Sequence, residues 1–313
     1  MNLAAIRLFG VRMNGVVLLA LLFRVAGGTT VVDAQVVNPA DSPKQEKPSD
    51  DEEKSGQRPR TWEMPPVQVY GRAPLKEEDR IGDYAQPRWT AHRLFGETRV
   101  YVIPKGMVDF EYWSIPETSR DGSTDIASQY EIEFGLPGRF QLDLYAVSHK
   151  KGISGPLTFS EQKVELRWAF ADWGKIPGYP TIYVEWKGKN SAPDHFEGKL
   201  LLAGHIVSGW HWGSNFVWEH ELGGPRENSN EWTTGISHTI RDSKFEAGLE
   251  TQLALVNSQD GTGRRGDFEK RFLVGPSLQF RPLPQMHLDV APLFGVTGAA
   301  SRSKVLVVLG YEF

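Results

Sequence analysis

The chain contains no cysteine. That excludes a disulfide framework, thiolate catalysis, cysteine-ligated clusters and the attachment residue of a lipoprotein. Long apolar runs are missing too. Val16–Phe23 is eight uninterrupted apolar residues closed by Arg24, and no stretch reaches the roughly 18 that a membrane-spanning helix needs. A strong charge excess is also absent: 35 Lys and Arg against 39 Asp and Glu leave a net charge of -4 spread along the chain, which argues against a nucleic-acid partner.

What is present is ordered along the chain. Arg7 and Arg12 precede the apolar run, and Val32-Asp33-Ala34 offers small residues before Gln35, so residues 1–34 read as a secretory signal peptide. Residues 35–65 are rich in Pro, Asp, Glu, Lys and Ser and have almost nothing to bury; they are expected to form a disordered periplasmic leader. Residues 66–104 carry scattered apolar and aromatic groups, among them Val67, Val69, Tyr70, Tyr84, Trp89 and Phe95, with no sustained period.

From Lys105 onward the period is two. Tyr130, Ile132 and Phe134 alternate with Glu131 and Glu133; Val164, Leu166 and Trp168 with Glu165 and Arg167; Phe245, Ala247 and Leu249 with Glu246 and Glu250. Successive side chains of a strand point to opposite faces, so each segment has one greasy and one ionised face. Twelve strands are expected, at about 106–116, 126–136, 139–149, 159–171, 180–188, 196–206, 210–221, 231–240, 244–256, 269–281, 285–296 and 303–313. A soluble sandwich also alternates, but here the connections alternate in length, tight at Pro137-Gly138, Val207-Ser208-Gly209, Asp242-Ser243 and Leu283-Pro284 and longer elsewhere. Short periplasmic turns and long outer loops do this in membrane barrels. The reading is therefore all-β: a transmembrane antiparallel β-barrel of about twelve strands, closed and up-and-down, over residues 105–313, in the outer membrane with both termini periplasmic. The connection at 172–179 is long for the short side, and Pro276 and Pro292 fall inside strands, where a bulge or shifted boundary is expected.

Val305, Val307, Leu309, Tyr311 and Phe313 share one face of the last segment, which resembles the closing strand of bacterial outer-membrane β-barrels. The resemblance implies two partners, the lipid bilayer and the barrel-assembly machinery, with Tyr311 and Phe313 as the assembly signal. Tyr101-Val102-Ile103-Pro104-Lys105-Gly106 and Gly135-Leu136-Pro137-Gly138-Arg139 look like the opening of a broad group of outer-membrane proteins related to those of the phenol meta-degradation pathway. That likeness implies a barrel of transporter type and carries over no catalytic residue. Pro65 to Arg72 resembles the periplasmic box of energised receptors, but too few residues follow before the first strand to form their plug domain.

Aromatic placement fits the barrel reading. Trp210 and Trp218 lie about 20 Å apart vertically in a strand tilted by about 40°, close to an apolar band. Trp168, Trp210 and Trp212 are expected at the lower interface and Tyr112, Trp186, Trp218 and Trp232 at the upper. The expected lumen lining includes Glu131, Glu133, Asp143, Glu165, Arg167, Glu185, Lys187, Glu219, Glu246, Glu250, Arg271, Arg281 and Asp289. Over all inward positions acids outnumber bases, so the expected task is passage of a small cationic or polar solute, without catalysis or cofactor. The alternative is a closed structural or surface-interaction barrel that recognises through its loops. Arg88, Arg93 or Arg99 is expected to fold in against Glu131, Glu165 or Glu185, because burying unpaired carboxylates costs several kcal/mol each. His205 and His211 can face each other across a turn but lack an evident third metal ligand. Ser277, His287 and Asp289 superficially assemble a hydrolase trio, yet pairing Arg281 with His287 sets Ser277 about 13 Å from the histidine.

Overall fold

A strand with one greasy and one ionised face must give each face its own surroundings, and this chain does so by rolling a single sheet into a cylinder. The computed structural model describes residues 76–242 and 244–313, all within the compact unit Val69–Phe313. The expected signal peptide and leader, and the Val67–Tyr70 stretch, lie outside the described residues. A two-residue ladder, β1 (Arg80–Ile81) with β2 (Gln86–Pro87), and a 3-10 turn at Arg88–Ala91 come first. The barrel follows: β3 (Val108–Thr118), β4 (Thr124–Leu136), β5 (Phe140–Lys151), β6 (Thr158–Ala169), β7 (Thr181–Lys189), β8 (His195–Val207), β9 (Trp210–Glu221), β10 (Asn228–Arg241), β11 (Phe245–Asn257), β12 (Glu269–Leu283), β13 (Met286–Gly295) and β14 (Ser303–Glu312).

All twelve expected strands are there. Each pairs antiparallel with its neighbours in sequence, and β14 closes on β3 with Tyr311 opposite Phe110 and Glu312 opposite Asp109. Closure leaves no barrel strand with a free edge among the described residues. Leu166, Val184, Leu200, Phe216, Ile236, Leu249 and Leu278 are exposed on the outer wall, whereas Glu131, Asp143, Glu165 and Glu250 are buried within.

Pro276 and Pro292 need neither a bulge nor a new boundary. The β12–β13 register is the same on both sides of them, with Val274 opposite Phe294 and Leu278 opposite Val290. That register sets the two prolines opposite each other, where the ladder lapses for want of donors and then resumes. Among the expected interfacial aromatics, Trp168, Trp186, Trp210, Trp218 and Trp232 are exposed on the outer wall, and Tyr112 and Trp212 are half-buried there. Trp168 and Trp210 sit at the tight-turn ends of β6 and β9. Tyr112 lies nearer mid-strand, against Tyr130 with ring centroids 5.2 Å apart.

If this wall faces lipid, a charge placed on it is costly. Leu249→Arg should lower the folding free energy in lipid vesicles by about 2–4 kcal/mol, measured by denaturant titration. A loss below about 0.5 kcal/mol would show that the wall meets water.

Candidate functional site

Residues 76–107 lead into the barrel from its tight-turn end. There Tyr84 donates its hydroxyl to the Leu136 carbonyl (2.5 Å), and the Trp173 backbone N–H donates to the Tyr84 carbonyl (3.0 Å). The long connection after β6 now has a reason: Trp173 packs edge-on against Trp89 (5.4 Å) and Tyr101 (5.2 Å) and stacks on Tyr179 (3.6 Å). Trp89, Phe95, Val102 and their neighbours form an apolar core inside the cylinder. Phe95 rests on two inward positions that lack side chains, Gly213 and Gly235, which face each other across β9 and β10. A Cβ on Gly235 would run into the Phe95 ring. A glycine at an inward strand position marks a close approach of this kind.

Above this core the segment turns at Gly96-Glu97-Thr98 and is held by charge. Arg93 grips both oxygens of Glu111 (2.6–3.1 Å) and lies over the Trp113 ring at 4.0 Å. Arg99 meets Glu131 at 2.7 Å and Glu133 at 3.3 Å. In the reverse sense, the Glu250 carboxylate accepts three backbone N–H bonds from the turn, from Gly96 (2.9 Å), Glu97 (3.0 Å) and Thr98 (3.0 Å). Glu97 pairs with Lys304, and Asn215 exchanges two hydrogen bonds with the Arg99 backbone. Lower down, His92 lies 2.6 Å from Glu312, which also takes Arg281 at 2.8 Å. Burial, with the Arg281 charge second, pushes the His92 imidazole down to about 4 against the pull of Glu312.

Two volumes follow. Beside the segment, the cavity bordered by Thr90–Leu94, Arg99 and Glu133 has about 20 Å³, room for about one water. On the loop side of the turn a chamber of about 290 Å³ opens, with Gly96, Glu97 and Arg99 in its lining. Its walls carry a second ionic group: Lys187 meets Glu197 (2.7 Å), Glu219 (2.8 Å) and Glu185 (3.5 Å), and Lys199 meets Glu197 (2.7 Å) and lies 4.2 Å from the Tyr183 ring.

The residues expected in the lumen divide by role. Glu131 and Glu133 receive the inner segment, as does Glu250. Asp143 and Glu165 pair with Arg167, not with the segment, and Glu185 faces the chamber. Glu246 and Asp289 are buried inside with hydrogen bonds from Ser237 and Gln279. Arg271 stands at the rim, solvated, with Glu269 at 2.9 Å. Glu197, Glu231, Lys163 and Lys304 also line the chamber; their inward parity was readable, since each lies an even number of residues from an inward neighbour. His205 and His211 are partners across the turn, but His205 is exposed while His211 stacks on Trp89 (4.3 Å) and reaches Glu77 (3.2 Å). Gln279 lies opposite Asp289, the register that keeps Ser277 away from His287.

No protein-family model matches the chain, and no curated protein is similar to it in sequence. Solved structures do match. An outer-membrane channel from Pseudomonas putida F1 superposes with a TM-score of 0.54 at 8% identity, over 68% of this chain and 97% of that one. The NanC porin (TM-score 0.45, 12% identity, 66% and 98% of the two chains) and the Ralstonia pickettii toluene transporter TbuX (0.38, 10%, 75% and 98%) superpose more loosely. What the first match shares with this chain is the barrel fold.

Arg93→Ala would leave Glu111 buried without its partner. The expected loss is about 3–5 kcal/mol of folding free energy in denaturant titrations. Gly235→Leu, which fills the seat of Phe95, should cost about 1–3 kcal/mol in the same assay.

Proposed function

We propose that the protein is an outer-membrane channel for a small polar solute, with both termini in the periplasm and its lumen held shut by the segment that ends in strand β3. The observation that carries this reading is the pairing of a chamber of about 290 Å³ on the loop side with a cavity for about one water beside the segment. The greasy outer wall and the fold shared with an outer-membrane channel support the location. The Gly135-Leu136-Pro137-Gly138-Arg139 hairpin supports membership of the group related to the phenol meta-degradation proteins.

The expected preference for cations rested on strand positions alone. Arg93 and Arg99 enter from the inner segment and neutralise part of the acid surplus. The chamber itself is lined by six bases (Arg93, Arg99, Lys163, Lys187, Lys199 and Lys304) and five acids (Glu97, Glu185, Glu197, Glu219 and Glu231). A nearly balanced lining of this kind suits a hydroxylated or zwitterionic solute, which can use both signs at once. Catalysis is not part of the proposal: the β12–β13 register keeps Ser277 out of hydrogen-bond reach of His287.

Conductance in planar bilayers tests the reading. The intact chain should show small or rare openings, and removal of residues 35–95 should raise conductance severalfold, with a preference for cations once Glu111 and its neighbours lose Arg93. A truncated barrel that is folded and heat-modifiable yet carries no current would favour the second reading, a closed structural barrel. Equal current from both chains would show that the segment does not close the lumen.

A further inference from the structure

Close to the seam where the last strand meets the first, one histidine crosses a strand to reach two carboxylates. His287 on β13 lies opposite Gly310 on β14, and Gly310 lies opposite Glu111 on β3. Because Gly310 has no side chain, the imidazole lies across its Cα; a Cβ there would collide with the ring. The ring therefore spans the closing strand and presents Nε2 to Asp109 Oδ2 at 3.7 Å and Glu111 Oε1 at 3.6 Å.

Those separations are too long for hydrogen bonds, which span about 2.7–3.2 Å. They approach the edge of a tetrahedron whose corners lie about 2.0–2.2 Å from a central ion, roughly 3.4 Å. His287 is wholly buried and Asp109 is 2% exposed, yet His287 Nε2 and Asp109 Oδ1 have no hydrogen-bond partner. Nδ1, by contrast, is satisfied by Asp289 at 2.5 Å. A carboxylate on the far nitrogen fixes the tautomer that leaves Nε2 free to ligate, and is the usual support of a metal-bound histidine. Charge points the same way: of Asp109, Glu111 and Asp289 only Glu111 meets a guanidinium, that of Arg93, which leaves two carboxylates for a dication to balance.

We infer that His287, Asp109 and Glu111 bind a divalent ion of the zinc class, with Asp289 as the positioning residue. One nitrogen and two carboxylate oxygens suit such an ion, and a water completes its shell. The ion staples β13 to β3 across β14, at the seam on which barrel closure depends. It also touches the carboxylate that Arg93 grips, so it anchors the root of the inner segment. The site does not depend on the solute reading.

The test uses the full-length protein, stripped with a chelator in detergent, exposed to zinc and desalted, with metal then counted by elemental analysis. The intact chain should retain one zinc per barrel, and zinc should raise the temperature of the heat-modifiable gel shift by about 5 °C. His287→Gln and Asp109→Asn should lose both effects, and Asp289→Asn should weaken binding about 10- to 100-fold. Gly310→Ala, which changes no ligand but displaces the ring, should lose the ion as well. Should a variant fail to assemble, the intact chain with and without chelator still decides. No retained zinc in the intact chain, or equal retention by intact and His287→Gln barrels, would overturn the proposal.

Discussion

The constraint behind this structure is that carboxylates enclosed in a barrel must find positive charge or backbone donors close at hand. Strands β3, β4 and β11 project Glu111, Glu131, Glu133 and Glu250 into a space that water barely enters. Unpaired, each would cost several kcal/mol or take up a proton. The inner segment supplies what the strands do not, two guanidiniums for the first three and a turn of three N–H groups for the fourth. Barrel and segment thus complete each other. The acids that would make an empty lumen attractive to cations are the ones that hold it filled.

Packing fixes where this happens. The aromatic core of Trp89, Phe95, Tyr101 and Trp173 settles the height of the segment, and the glycine pair at Gly213 and Gly235 leaves it room. Without that core the guanidiniums would have to find their partners at the full entropic cost of ordering a loop. With it, Arg93 and Arg99 arrive already aimed. The charge contacts then choose one register among those the grease would tolerate.

The fold was largely legible because period-two alternation and turn length are local signals that closure does not alter. Strand positions and even the β12–β13 register followed from them. The inner segment was less legible, because its hold on the barrel joins residues more than a hundred positions apart, such as Gly96 and Glu250. A surplus of inward acid beside a basic, aromatic segment showed that the two should meet. It did not show which acids, and Glu165 went instead to Arg167 on its own strand. Inward glycines and the long 172–179 connection were the unused signals, each marking a place where something else fills the space.

The absence of cysteine makes the central claim directly measurable. A Cβ built on Gly96 would lie 3.0 Å from that of Ala291 on β13, near enough for a disulfide with a small adjustment. In a Gly96→Cys, Ala291→Cys barrel assembled in membranes, mild oxidation should join the two cysteines nearly completely, read by mass spectrometry of the digested protein. Two free cysteines, both open to a membrane-impermeant maleimide from the periplasmic side, would contradict the account.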